Sequence, residues 1–486
     1  MVTETITNQG LLIDGQRAPS TEGKTFPTYN PATGDVLAQV AEADAEDVDR
    51  AVRVARRAFD SGTWPETPAS ARGRVLLRAA ALLRERAGQI GDLEMRDNGK
   101  PIGDARDDVV SAAGVFEYYA GAATRIMGET IPVTAPGLDL TLREPLGVCA
   151  QIVPWNFPIL MASWKLAPAL AAGCTVVLKP AEQTPMTALV LGELLHEAGV
   201  PNGVVNVLPG FGETTGQALI SHPLIDKIAF TGSTEVGKIV MHAAAEGIKR
   251  VSLELGGKSP NIVFDDVDIE RVAAQSIFAV FGNAGQDCTA RTRFFVHERI
   301  VDRFTAALLQ AARALRVGDP RDESTQIGAL ISPEQQQRVE GYISLARDEG
   351  ADVACGGSRP DDAALRNGNF LLPTVLVDVR NHMRVAREEI FGPVVGIIPF
   401  GDEAEVIAMA NDTPYGLSGT IWTRDIGRAI RLVRSIRTGV LSVNTIRSVH
   451  IEAPFGGYKQ SGLGRELGKE ALELYTEVKN VFISME

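Results

Sequence analysis

The sequence predicts an α/β protein of two domains, and three observations carry that prediction. Short β-branched runs such as "CTVVLKP", "GVVNVLPG" and "DKIAFTG" end in Gly or Pro. Segments of helical pattern such as "TPMTALVLGELLHEAG" lie between them, the arrangement of βαβ units around a parallel sheet. The alternation restarts near Ser259 with "SPNIVF" and continues through "RTRFFVH", "VVGIIPF" and "SGTIWT". Two α/β domains joined near 254–260 account for a chain of 486 residues.

The elements follow in order. "AEDVDRAVRVARRAFDSG" has apolar residues at i, i+3 and i+4 and stops at Gly62, which predicts a surface helix. "SARGRVLLRAAALLRERAGQIGDLEMRDNGK" predicts two more helical segments. "DLTLREPLGV", 139–148, alternates like a strand but has no patterned neighbour, and the tail "EVKNVFISME", 477–486, looks the same. Each is either an arm pairing with another chain or an edge strand of its own subunit. The most apolar region, 147–180, is interrupted by Pro154, Asn156, Pro158, Lys165 and Pro168. It therefore reads as strand, loop, buried helix and strand rather than as a membrane span.

Composition excludes several function classes. The chain is 45% hydrophobic and 22% charged, with a formal charge of -13 and no long basic run, which argues against nucleic acid and anionic lipid as partners. Its four cysteines, Cys149, Cys174, Cys288 and Cys355, form no C-x-x-C pair, and the six histidines fall at no metal-ligand spacing near them. A disulfide framework and a metal site are not expected, and a reducing cytoplasm suits this usage. "MVTETITNQG" has neither the basic nor the apolar region of a signal peptide.

Five stretches can carry chemistry. "IDKIAFTGSTEVGKIVMHAAAEG" is a strand, a tight turn and a helix, with Gly232, Ser233 and Gly237 at the helix mouth. Free N–H groups and the helix dipole favour a phosphate there, although the turn is not G-x-G-x-x-G and such glycines also serve plain strand-to-helix turns. In "VVLKPAEQTP", Lys179 and Glu182 sit just beyond a strand, where open α/β sheets bind ligands. A carboxylate there can accept from both ribose hydroxyls of an adenosine and repel the extra phosphate of NADP; the pair is otherwise a solvated ion pair. "VSLELGGKSPNIVF" puts Glu254 in an apolar strand, as a structural acid or as a base tuned by burial. "VPWNFPI" holds Asn156 between two prolines, either aiming an amide at an oxyanion or filling a turn. "FGNAGQDCTA", 281–290, sets Cys288 in a polar, loop-like run rather than among the apolar neighbours of a core cysteine. A nucleophilic cysteine attacks as thiolate, so a helix N-terminus or a base must raise that fraction. No histidine lies in a comparable loop, which leaves Glu254 as the candidate base.

Together "PWNFP", "KPAEQTP", "FTGSTEVG", "LELGGKSP", "FGNAGQDC", "EEIFGPV" and "PFGGYKQSGLGRE" resemble the NAD(P)-dependent aldehyde dehydrogenase superfamily, in that family's order and over essentially the whole chain. The resemblance implies a Rossmann-like cofactor domain (1–124 and 146–254), an α/β catalytic domain (255–458) and a β oligomerisation arm (125–145 and 472–486), with 459–471 returning to the cofactor domain. It implies a homodimer or homotetramer and tips both isolated strands towards intersubunit pairing. By the same resemblance Cys288 forms a thiohemiacetal with an aldehyde, Asn156 holds the oxyanion, and Glu254 activates water to release a carboxylic acid from the thioester. Lys165 joins this catalytic set. Members that transfer the acyl group to coenzyme A generally lack an acid at the Glu254 position, so hydrolysis is expected. NAD, rather than NADP, would be held by Val153, Trp155, Lys179, Glu182, Gly212, Gly232, Ser233, Gly237, Leu255, Glu389 and Phe391.

Asp287, beside the nucleophile, makes "GQDCTA" look like members that oxidise 4-aminobutanal and related ω-aminoaldehydes. Phe157, Trp164 and Phe455 match aromatic pocket positions and either meet a cation or wall an apolar tunnel. Otherwise Asp287 points away and caps a nearby helix, and the enzyme is a general aliphatic or aromatic aldehyde oxidiser. Asp104, Asp107 and Asp108 either reach the pocket entrance or form a solvated helical face. A silent structural relative has no need of Cys288, Glu254 and Asn156 together, and a cofactor-free thiol esterase leaves Lys179, Glu182 and the Gly232 turn unexplained.

Overall fold

The computed structural model describes residues 7–485; residues 1–6 and 486, the outermost parts of the expected cofactor domain and arm, lie outside them. The helix Ala45–Asp60 starts at Asp44, whose carboxylate accepts from the Asp47 N–H while Asp47 reaches back to the Asp44 N–H. "SARGRVLLRAAALLRERAGQIGDLEMRDNGK" forms two helices, Ala69–Glu85 and Ala87–Asn98. The apolar region 147–180 folds as read: strand Val148–Ile152, a loop, the enclosed helix Pro158–Ala172 with proline at its first position, and strand Thr175–Lys179.

Two sheets organise the chain. In the first, Arg250–Glu254, Lys227–Thr231, Val148–Ile152, Thr175–Lys179 and Val205–Val207 run parallel in that order. Gly462–Leu463 closes one side and Leu11–Ile13 with Gln16–Ala18 the other, both antiparallel. Alternate residues of its strands feed opposite cores: Cys149, Val176 and Leu178 face one, Val148, Ala150 and Val177 the other. The second sheet orders Thr374–Val377, Val394–Phe400, Arg293–His297, Pro260–Val263, Thr420–Trp422 and Ser442–Val443 in parallel, with Asp352–Cys355 antiparallel at one edge. Its core is a separate cluster around Phe294, Phe295 and Trp422.

The two isolated strands find each other. Gly137–Pro145 pairs antiparallel with Thr476–Ser484 over nine residue pairs within the chain, and Thr130–Ile131 adds a third strand. Each strand thus has a partner within its own subunit, and Thr476–Ser484 forms one edge of the three-stranded sheet. Leu138, Leu142, Val478, Phe482 and Ile483 remain exposed on this sheet. Among the described residues no helix is long and apolar enough to cross a membrane, and no cluster of His, Cys, Asp and Glu could hold a metal ion.

Candidate active site

A cavity of about 600 Å³ lies between the two sheets and gathers residues that the sequence scatters over 154–466. Cys288, Asn156 and Glu254 all line it. So do Trp155, Phe157, Trp164, Gly232, Ser233, Leu255, Asp287, Glu389, Phe391 and Phe455.

Cys288 stands in the loop before strand Arg293–His297, and no helix begins at it, so a helix dipole is not its activator. The loop is held in a strained form. Asn283 and Ala284 take left-handed φ values of 50° and 54°, and Gly285 follows at 71°, where a side chain would strike the Gly392 carbonyl. The Gln286 side chain fixes the turn by accepting from Ile331 N–H at 2.9 Å and donating to the Asn283 carbonyl at 3.3 Å. The half-buried Cys288 opens to the cavity, yet burial of the thiol, then the charges of Asp287, Glu389 and Glu254, push its pKa well above the ordinary thiol value. Of the polar neighbours in the sequence run only Asp287 is a carboxylate, and it opposes the thiolate together with Glu389 and Glu254 from elsewhere in the chain. Alkylation of the cofactor-free protein by neutral iodoacetamide is therefore expected to be slower at Cys288 than at a free thiol, and to keep rising with pH beyond the ordinary thiol pKa. A fast, pH-independent reaction would contradict this environment.

Asn156 is 4% exposed. Its amide nitrogen donates one N–H to the Gln286 carbonyl at 3.0 Å, so the second is available to the cavity that the residue lines. The loop is braced from behind, for the Asn156 carbonyl accepts from Lys100 Nζ at 3.1 Å and Asn283 Nδ2 at 2.9 Å. Asn98 Nδ2 donates to the Trp155 carbonyl at 2.7 Å. Asp108 pairs with Lys100 at 2.5 Å and supports this brace, while Asp104 and Asp107 are exposed; none of the three lines the cavity.

Glu254 ends its strand, 5% exposed, and its Oε2 has no hydrogen-bond partner. Burial first and the charge of Glu466 second raise its pKa well above the carboxylate range, against Lys165 and Arg465. Lys165 does not line the cavity. Its buried ammonium pairs with Glu466, and it is Glu466 that faces the cavity beside Glu254. Glu466 ends the run "PFGGYKQSGLGRE", and nothing in that run marks it for a role. Its proximity comes from the antiparallel pairing of Gly462–Leu463 with Leu253 and Glu254, which no local pattern announces.

At the other end of the cavity, helix Thr234–Glu246 opens with Ser233 as its cap, accepting from Val236 N–H at 3.2 Å. Gly237 is packing: a Cβ there would lie 2.6 Å from the Leu255 side chain. Glu389 accepts from Gly257 N–H at 2.9 Å, and burial pushes its pKa up to about 7. Phe391 holds a left-handed φ of 61°, its ring edge-on to Trp155 at 5.2 Å, and its carbonyl accepts from Gln335 Nε2 at 2.7 Å. Val153, Lys179, Glu182 and Gly212 lie outside the cavity, at or just beyond the C-terminal ends of neighbouring parallel strands. Val153 N–H donates to the Lys179 carbonyl at 3.1 Å. The 2% exposed Lys179 ammonium donates to the Pro180 carbonyl at 2.9 Å and stands 3.6 Å from Glu182. Gly212 is exposed at the start of the next turn. These residues fit a dinucleotide: first-turn N–H groups point out of a capped helix, the buried Thr231 hydroxyl beside it has no partner, and carboxylates stand at both ends of the row.

Elsewhere in the cavity lining, Trp164 and Phe455 meet at 5.1 Å in an edge arrangement. Phe157 already has the Lys100 ammonium 4.4 Å from its ring centroid, so one face is taken. Asp287 Oδ1 accepts from Thr289 N–H at 2.7 Å and Thr289 Oγ1 at 2.9 Å; it caps a turn, not a helix, while still lining the cavity.

Residues 18–481 match the model of the aldehyde dehydrogenase family. The chain is 44% identical to the betaine aldehyde dehydrogenase of Bacillus subtilis (strain 168), over 98% of this chain and 97% of that protein. An NAD+ complex of an aldehyde dehydrogenase from Bacillus cereus superposes with a TM-score of 0.96 at 46% identity, covering 99% of this chain and 97% of that one. The betaine aldehyde dehydrogenase of Staphylococcus aureus in complex with NAD+ superposes at 0.97 with 40% identity, covering 98% and 95%.

Proposed function

Because the chain belongs to the aldehyde dehydrogenase family and is an oxidoreductase acting on aldehydes, we propose that it converts an ω-ammonium aldehyde to its carboxylic acid through Cys288, with NAD as acceptor. The observation that carries this reading is the convergence of a cysteine, an amide and an unpartnered acid on one cavity. Cys288 Sγ adds to the carbonyl carbon, its proton leaving to Glu254 or water. The free N–H of Asn156 and the Cys288 backbone N–H stabilise the oxyanion that forms. Bound NAD would supply the hydride acceptor, and loss of hydride from the adduct leaves a thioester on Cys288. Glu254 then accepts a proton from the water that attacks the thioester, and the acid departs. Its raised pKa suits this exchange, and the Lys165–Glu466 pair sets the charge beside it. Glu182 supports NAD over NADP, since its carboxylate would face the added phosphate. The exposed side chains of the three-stranded arm support assembly as a dimer or tetramer, and the cysteine usage supports a cytoplasmic enzyme.

The ammonium preference rests on Asp287, with the Trp164 and Phe455 rings lining the same cavity; betaine aldehyde dehydrogenases among the relatives agree with it. One screened ion pair is worth about 1 kcal/mol, so Asp287→Asn is expected to lower kcat/KM for 4-aminobutanal relative to butanal by about fivefold. Initial rates of NADH formation measure this. Equal ratios in both proteins would leave a general aldehyde oxidiser, the second reading, which the turn-capping bonds of Asp287 favour.

A further inference from the structure

Asp287 sits in a wall with cavities on both sides. A second cavity of about 450 Å³, lined by Phe278, Arg291, Arg447 and His450 among others, shares Asp287, Thr289 and Val449 with the catalytic one. The partition between them is thus one layer of side chains, made by the Cys288 loop and by segment 446–449. That segment has little regular structure of its own, so something else must fix it against the loop.

We propose that Arg291 is a specificity-determining positioning residue that bolts segment 446–449 to the Cys288 loop and so sets the shape of the aldehyde cavity beside Asp287. The inference rests on the aldehyde-oxidising reading for its kinetic consequence, but not for its structural one. Arg291 is 4% exposed. Its guanidinium carries five N–H groups, and five protein oxygens surround it. Nε donates to Thr420 Oγ1 at 3.2 Å, anchoring the group to the second sheet. Nη1 donates to the Thr289 carbonyl at 3.1 Å and to its hydroxyl at 3.4 Å. Nη2 donates to Ser448 Oγ at 2.7 Å and the Ile446 carbonyl at 3.3 Å. The Thr289 hydroxyl in turn donates to Asp287, so a continuous chain of bonds joins segment 446–448 to that carboxylate. A buried guanidinium is costly unless every donor is satisfied, and here three of the five bonds tie the Cys288 loop to pieces of chain distant in sequence. Arg291 touches neither substrate nor cofactor space; it acts through Asp287, Thr289 and Val449.

Two variants test the bolt in the full-length chain. Arg291→Met removes all five bonds, and Ser448→Ala removes one bond at a half-buried site, so its fold is secure. Amide hydrogen exchange over 445–450 and 287–289 is expected to accelerate in both, more in Arg291→Met, with Arg291→Lys in between. With 4-aminobutanal and butanal, KM for aldehyde is expected to rise about tenfold in Arg291→Met while kcat stays within about threefold and KM for NAD does not move. Unchanged exchange in both segments would overturn the bolt. A fall in kcat without a change in aldehyde KM, or an equal rise in both KM values, would overturn its role in specificity. If the wild-type protein oxidises no aldehyde, the functional reading fails and the specificity role with it, while the exchange measurement still decides whether the bolt exists.

Discussion

Changing Cys288 to serine is expected to lower kcat/KM for aldehyde oxidation by at least about 10⁴-fold while leaving NAD affinity and the fold intact. A serine hydroxyl is a far weaker acid than a thiol, and this site would hold its proton further. Burial and three neighbouring carboxylates already raise the Cys288 pKa. Glu254 can draw the proton from a thiol but not from an alcohol. The loop should survive the exchange, because Gln286, Asn283 and Asp287 fix it through bonds that do not involve the sulfur. Initial NADH rates and an NAD titration check this, and retention of a tenth of the wild-type rate would remove Cys288 from the chemistry.

Glu254→Gln is expected to separate the two halves of the reaction. Hydride loss from the Cys288 adduct does not require the carboxylate, but hydrolysis of the thioester does. A burst of about one NADH per subunit should therefore precede a steady rate lowered by about 10³-fold. The pH dependence follows from the direction of the Glu254 shift. Its pKa is raised, and the base is the charged form, so wild-type turnover is lost as pH falls through a value above the ordinary carboxylate range. The variant should lack that limb. It should also be at least as stable as the parent, since it replaces a buried carboxylate whose Oε2 has no partner by a neutral amide of the same shape.

Periodicity carried the fold far. The strands Val148–Ile152, Thr175–Lys179, Val205–Val207, Lys227–Thr231, Arg250–Glu254, Pro260–Val263, Arg293–His297, Val394–Phe400 and Thr420–Trp422 and the enclosed helix Pro158–Ala172 lie where alternation and breakers put them, because buried parallel strands and their crossover helices leave strong local patterns. Asp352–Cys355 and Thr374–Val377 carry no such signal. Cys288 and Asn156 were legible from their immediate neighbours. What sequence could not give depends on pairing across the chain. Glu466 reaches Glu254 only because Gly462–Leu463 closes the first sheet. The arm strands match one another, a choice no single strand reveals. Lys100 covers one face of Phe157, which takes part of an expected cation site away. The sign of the Cys288 shift was hidden for the same reason, since Glu389 and Glu254 come to it from distant parts of the chain.

The most direct test of the covalent route is the intact mass of Glu254→Gln after mixing with NAD and excess 4-aminobutanal and quenching in acid. The account predicts one acyl group per subunit, located on Cys288 by peptide mapping and absent when NAD is omitted. An unmodified Cys288 after a full burst of NADH would contradict it, because the aldehyde would then have been oxidised without a bond to the thiol.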